Sequence, residues 1–373
     1  MSSDRNDSTW RRIREGTQSI DPLLVRERAI DAIRSFFKTR DFREIETPLL
    51  VRHPGMEPHL DVFETRLSTA SGRVTAGFLN TSPEYAMKKV LAAGLPRIFQ
   101  ICKSFRNREE SSRLHNPEFT ILEWYRANAG YLDVMVDCEE LICEMVNGIS
   151  NRDVGRQTGS LQSSLNPMTL EYGDQRIDLT RPWPRLSVRE AFQRYTGIDL
   201  DRTMDLESMS IAAMASGYSV DCTTTWEQIY HQIFLNEIEP HLGRGRPTIL
   251  YDYPASMAAL ARVKPDDARY AERFELYIAG IELGNAFSEL VDAGEQRRRL
   301  ESEREERRET GRTLYDLDDD FIDALAAGIP PSAGIAVGVD RLIMLLANVA
   351  SIRDVLWFPA DEIFGLSSDV LDM

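Results

Sequence analysis

The chain has 373 residues, 42% hydrophobic and 28% charged, a balance that describes a globular protein with a sizeable core in one large domain or two ordinary ones. Its 44 lysines and arginines against 60 acidic residues give a net charge of −16, which argues against broad, sequence-independent binding to nucleic acid while leaving room for a local basic patch. No apolar run reaches the roughly 18 residues of a membrane-spanning helix. The four cysteines lack CxxC spacing and the five histidines are scattered, so neither a disulfide framework nor a zinc site is expected.

The opening segment, MSSDRNDSTWRRIREG, has no apolar core of a secretory signal, so the chain is expected in a reducing cytoplasm with free thiols. Residues 1–20 read as a flexible polar arm, and 21–373 as a single catalytic-size unit. Asp21-Pro22 starts a helix, with Asp as N-cap and Pro at the first helical position; Val25, Ala29, Ile30, Ile33, Phe36 and Phe37 then share one face. In FREIETPLL, Ile45, Thr47 and Leu49 alternate with Glu44 and Glu46 as in a strand, and Pro48 assigns it to an edge or an interface. Asn80-Thr81-Ser82-Pro83-Glu84-Tyr85 precedes a helix beginning near Tyr85, where Ser82 or Thr81 can cap and Glu84 suits the helix dipole.

Ser104 to Tyr125 reads as strand, polar loop, strand. Phe99, Ile101 and Phe105 lead in, and Phe119, Ile121, Leu122 and Trp124 lead out. The loop carries Arg106, Arg108, Arg113, His115, Glu109 and Glu110. Such a hairpin is either an ordinary surface feature with a solvated tip or a platform for a nucleotide, with guanidiniums on its phosphates. A helix is expected over Leu132–Val146, a loop or extended excursion over 149–180, and helices over Leu186–Tyr195 and Trp226–His241, with no chemistry assigned to His231 or His241.

From Arg273 to Ala293, Phe274, Leu276 and Ile278 alternate with Glu275, Tyr277 and Ala279. A seven-residue spacing from Glu275 to Glu282 reverses the face of one uninterrupted strand. A turn at Gly280 instead lets the two carboxylates converge from paired strands, which is costly unless a cation such as Mg²⁺ sits between them. The plainer alternative is an edge strand with glutamates in solvent. Residues 295–312, with six acidic and seven arginine side chains, read as a solvated helix with i,i+4 pairs. Ser332 to Val349 is an apolar strand, Gly338, then a helix with Arg341 in its first turn; this is either a buried strand-helix pair or a site for a terminal phosphate. Neither GxGxxG nor GxxxxGK[ST] occurs, so a dinucleotide fold is not supported.

Three stretches carry a resemblance. Ser104-Phe105-Arg106-Asn107, followed by His115-Asn116-Pro117-Glu118-Phe119-Thr120, resembles motif 2 of class II lysyl-tRNA synthetases. The helix-strand-Pro48 arrangement is similar to motif 1, and Gly338-Val339-Asp340-Arg341 to motif 3, all in order over residues 21–358. The resemblance implies an α+β class II catalytic domain, a mainly antiparallel sheet flanked by helices, forming a homodimer through motif 1. It also implies ATP and Mg²⁺: Arg106, Asn107, Arg108, Glu109, His115, Asn116, Phe119, Glu282, Leu283, Gly338 and Arg341 on ATP, and Glu275 with Glu282 on the metal. Arg106 and Arg341 are the implied catalytic residues. The implied amino-acid site is Ser82, Pro83, Glu84, Glu123, Tyr125, Asn285, Glu289 and Ala336, with Glu84 facing an amino group and Glu289 with Tyr125 a side-chain ammonium.

With motif 1 starting at about residue 21, no room is expected for the OB-fold that reads the anticodon in the tRNA enzymes. The wording LHNPEFTILEWYRA, and Ala336 where those enzymes carry Gly, resemble the elongation factor P lysyl-ligase family. That family activates lysine, characteristically (R)-β-lysine, and transfers it to a lysine of elongation factor P, so tRNA binding is not expected. One pocket methyl is worth only about 1–3 kcal/mol of discrimination, so α- and β-lysine both stay open. A compact tRNA aminoacylase and a non-catalytic paralogue are the other readings. One departure stands out: the family reads Phe-Arg-x-Glu, whereas here Arg108 takes the Glu position and Glu109 follows. Either a one-residue insertion lets Glu109 substitute, or the adenine contact is lost.

Overall fold

The computed structural model describes residues 8–109, 112–153 and 168–365. Its helices are α1 (Thr9–Glu15), α2 (Asp21–Lys38), α3 (Glu84–Ala92), α4 (Tyr131–Asp153), α5 (Val188–Thr196), α6 (Leu206–Ala215), α7 (Trp226–Ile233), α8 (Ala293–Glu309), α9 (Asp319–Gly328), α10 (Val339–Ala347) and α11 (Ala360–Phe364). Its strands are β1 (Arg43–Glu44), β2 (Leu50–Val51), β3 (Glu64–Ser68), β4 (Val74–Leu79), β5 (Arg97–Phe105), β6 (Glu118–Ala127), β7 (Thr169–Tyr172), β8 (Gln175–Asp178), β9 (Arg185–Ser187), β10 (Thr248–Pro254), β11 (Tyr270–Ile278), β12 (Ile281–Ser288) and β13 (Ser332–Gly338).

Eight strands form one sheet in the order β1-β5-β6-β13-β12-β11-β10-β9. Its five inner pairings, β5 through β10, are antiparallel, and only the edge strands β1 and β9 pair in parallel. This is the α+β, mainly antiparallel architecture expected. The helices earn their places by period: α2 buries Val25, Ala29, Ile33, Phe36 and Phe37 on one stripe, and Phe37 stacks on Phe99 of β5 at 4.7 Å between ring centroids. With α4 and α10, α2 covers one face of the sheet. The opposite face carries the polar residues described below. No helix of the described residues is long and apolar enough to cross a membrane.

Several expectations need correction. Thr9–Glu15 is a helix, not part of a polar arm: Thr9 is fully buried, and its N–H and hydroxyl both donate to the Glu362 carboxylate of α11 at 2.8 Å. Residues 1–7 lie outside the described residues. The strand expected through Leu49 is two short pieces, β1 and β2, because Pro48 has no N–H to give a ladder. Within 149–180, residues 154–167 lie outside the described residues. Thr169–Asp178 is a regular hairpin that buries Leu170, Tyr172 and Ile177, its signal too short to read locally. The helix expected from Trp226 runs to Ile233, continues through a π turn at Phe234–Ile238 and tightens at Glu239–His241 around Pro240. In the Arg/Glu-rich α8, Gln296, Leu300 and Arg307 are buried: Arg307 donates to the carbonyls of Glu57, Leu60 and Thr313.

Candidate active site

In an antiparallel sheet, residues directly opposite one another point to the same face. The register therefore aligns Gln100, Glu123, Ala336, Asn285 and Glu275 in one row across five strands. Three stretches that are far apart in sequence meet in this row. The turn that makes it possible is Ala279-Gly280, where both residues have positive φ and reverse the chain so that Glu275 and Glu282 come from paired strands, as expected. Gly334 is required by packing: a Cβ there would lie 2.3 Å from the Tyr125 ring.

Above this row lies a cavity of about 370 Å³. It collects Arg106, Glu109, His115, Asn116 and Phe119 from the hairpin, Glu275, Glu282, Leu283 and Asn285 from β11 and β12, and Ala336, Gly338 and Arg341 from β13 and the start of α10. Arg106 lies over the Phe119 ring at 5.0 Å and faces Glu109 at 3.7 Å. Arg341 donates to the Glu282 carbonyl at 3.0 Å and reaches His115 Nε2 at 2.8 Å. Because a guanidinium only donates, Nε2 accepts and Nδ1 carries the proton, which Ser112 Oγ takes at 2.8 Å. Burial and then Arg341 lower the His115 pKa, in keeping with a neutral ring.

Two residues of the expected nucleotide set stand apart from the cavity. Arg108 is exposed at a left-handed turn (φ 55°), which carries its side chain outside the cavity and brings Glu109 to the lining instead. Asn107 is also exposed, and its side chain accepts from the Arg108 N–H. This geometry favours the one-residue insertion over loss of the glutamate; Glu110 lies outside the described residues. Asn116 lines the cavity, but its amide is engaged by the Ala360 N–H at 3.0 Å and the Glu118 carbonyl at 2.5 Å.

Glu275 and Glu282 differ in environment. Both Glu275 oxygens have donors, Arg273 at 2.6 Å and Tyr277 at 2.7 Å. The Glu282 carboxylate makes no hydrogen bond or ion pair among the described residues, and burial, then Glu275, push its pKa up to about 7. A carboxylate without a hydrogen-bond donor beside a second one, with Arg106 and Arg341 lining the same cavity, is a donor set that fits Mg²⁺. No group of three His, Cys, Asp or Glu side chains that could hold a metal occurs among the described residues.

Of the expected amino-acid residues, Asn285 and Ala336 line this cavity, Ser82, Pro83 and Glu84 line a second one of about 790 Å³, and Glu123, Tyr125 and Glu289 line neither. Glu123, Tyr125 and Glu289 are buried. Ser82 Oγ and Tyr125 OH donate to the two oxygens of Glu123 at 2.6 and 3.1 Å. Burial, then Glu84, raise the Glu123 pKa to about 8, and burial raises that of Glu289 to about 7.

Sequence reasoning missed three residues. Lys88, 1% exposed, pairs with Glu84 and Glu289, but in sequence it is one of two adjacent lysines on an amphipathic helix. Arg273 ties Glu275 to Asn285 Oδ1. Asp340, inside motif 3, accepts from the Thr120 N–H at 2.7 Å and pairs with Arg26, locking motifs 1, 2 and 3 together.

The family model for class II tRNA synthetases (D, K and N) matches residues 5–362. Proteins named elongation factor P--(R)-beta-lysine ligase from Salmonella paratyphi A (strain ATCC 9150 / SARB42), Salmonella heidelberg (strain SL476) and Salmonella agona (strain SL483) are each 36% identical over 359 residues, covering 95% of this chain and 98% of theirs. The chain belongs to the class II tRNA synthetase family (D, K and N), alongside the elongation factor P--(R)-beta-lysine ligases.

Proposed function

We propose that the protein is an ATP-dependent ligase that activates (R)-β-lysine as an adenylate and transfers it to a lysine of elongation factor P. The observation that carries this reading is the pair of adjoining environments on one sheet face. A cationic cleft with Arg106 and Arg341 adjoins a group of three carboxylates, the buried Glu123 and Glu289 and the half-buried Glu84. The first suits a triphosphate and the second a substrate with two ammonium groups, and the Ala336–Asn285 pair lies between Glu123 and Glu275 in the row.

A substrate carboxylate oxygen attacks the α-phosphorus, and pyrophosphate leaves with the bonding pair. Arg106 stabilises charge on the α-phosphate, while Arg341, released from His115, holds the outgoing phosphates. Glu282, with Glu275, would hold Mg²⁺, which when bound neutralises phosphate charge. The acceptor's ε-amine then attacks the acyl carbon, AMP leaves, and the amine loses a proton. An acceptor from the translation machinery puts the reaction in the cytoplasm. The apolar groove lined by Trp357, Phe358, Ile363 and Phe364 beside Arg26 supports a homodimer. Pyrophosphate exchange with Mg-ATP tests the reading: it requires a diamino acid and vanishes in Arg106→Ala, and exchange retained in that variant overturns the role of Arg106.

A further inference from the structure

Lys88 is a buried cation that no step above uses. It lies one helical turn beyond Glu84 on α3, is 1% exposed, and its ammonium sits 2.6 Å from Glu84 Oε1 and 2.5 Å from Glu289 Oε2, with the Phe321 ring 5.9 Å away. Burial alone disfavours its charge, but the carboxylates of Glu289 and Glu84 outweigh that and hold its pKa above the ordinary value. Glu123, the third acid, has only neutral donors, Ser82 and Tyr125.

The group therefore holds three carboxylates and one built-in ammonium. When all are ionised, two negative charges stay uncompensated, and uncompensated buried charge is strongly disfavoured. A diamino acid whose two ammonium groups enter the pocket, with its carboxylate outside toward Arg106 and the α-phosphate, cancels them; one with a single ammonium leaves one carboxylate without a counter-charge. We propose that Lys88 is a specificity-determining positioning residue that fixes the spacing of Glu84 and Glu289 and sets the pocket's charge so that it selects a diamino acid. Removing the cation leaves three negative charges, so the same diamino acid no longer neutralises the pocket, and Glu84 and Glu289 repel one another. A purely mechanical pin would depend on the volume of the side chain, whereas this role depends on its charge. The inference rests on the amino-acid site proposed above.

Calorimetric binding of lysine, β-lysine and the monoamino analogue norleucine to the full-length protein, wild type and Lys88→Ala, tests it. Wild type is expected to bind the diamino acids at least tenfold more tightly than norleucine. Lys88→Ala is expected to bind the diamino acids at least tenfold more weakly than wild type, with ATP affinity unchanged. Propylammonium, which refills the cavity with a cation, restores the affinity, and propanol, which refills only its volume, does not. Lys88→Met keeps the apolar length where Lys88→Ala is too unstable to assay, and is expected to show the same loss. Unchanged diamino-acid affinity in either folded variant, or equal rescue by propanol, overturns the inference alone. Wild-type protein that binds no diamino acid overturns the proposed function and this inference together.

Discussion

The affinity for the amino acid should depend steeply on pH, with a sign set by the buried carboxylates. In the free protein the pKa of Glu123 is raised to about 8 and that of Glu289 to about 7, burial being the main cause in both. To receive ammonium groups both acids must be ionised, so binding at lower pH carries the cost of removing their protons, about 1.36 kcal/mol for each pH unit below each pKa. At pH 6 that is two units for Glu123 and one for Glu289, or roughly 4 kcal/mol; at pH 8 almost all of it is gone. Affinity should therefore strengthen by two to three powers of ten from about pH 6 to 8, with about tenfold of it between pH 7 and 8.

The same groups act on stability in the opposite direction. Their folded pKa values lie above the ordinary carboxyl value, so the native state binds more protons than the unfolded one between about pH 4.5 and 8. Their contribution to the stability of the free protein should be greatest at the acid end of that window and fall as pH rises through 7 and 8. Saturating diamino acid should offset the loss. Titration calorimetry across pH 6–9 reads the first effect and thermal melts with and without ligand read the second. A flat affinity profile, or one that weakens from pH 6 to 8, refutes the reasoning. Glu123→Gln should remove the portion of the rise between pH 7 and 8 and weaken binding throughout.

Three further outcomes follow from the geometry. Asp340→Ala strips the buried partner from Arg26 and the acceptor from the Thr120 N–H; it should destabilise the fold by about 3–5 kcal/mol in urea titrations. Gly334→Ala places a methyl 2.3 Å from the Tyr125 ring, so it should raise KM for the amino acid at least tenfold while KM for ATP stays within threefold. Arg108→Ala should leave KM for ATP within threefold and Glu109→Ala should raise it about tenfold; the reverse order would put Arg108, not Glu109, on the nucleotide.

The sequence made the site legible where local rules suffice. A turn at Gly280 within the seven-residue spacing of Glu275 and Glu282 offers two carboxylates from paired strands against the alternative of one edge strand, and the sheet has them on the adjacent strands β11 and β12. Alternation in the Ser104–Tyr125 stretch likewise predicts a hairpin, and the pairing from Arg97 to Arg126 bears that out. What local rules could not supply is which charged side chain is swallowed by a partner remote in sequence. Lys88 and Lys89 look alike on α3, yet Lys88 meets Glu289, just past the end of β12, and is buried while Lys89 reaches Asp318 near the surface. Arg307 reads as one more arginine on a solvated helix until the carbonyls of Glu57 and Leu60 close over it. Arg108 and Glu109 are separated by one left-handed backbone angle that the order of residues does not announce. The docking of α1 depends on Glu362, more than three hundred residues away, so its short polar sequence carries no sign of it.

The most direct measurement is the intact mass of purified elongation factor P after incubation with the protein, Mg-ATP and either (R)-β-lysine or α-lysine, with bulk tRNA offered in parallel. A gain of one lysyl unit on elongation factor P is expected, faster with (R)-β-lysine, with no charging of tRNA. Charged tRNA with unmodified elongation factor P would contradict it.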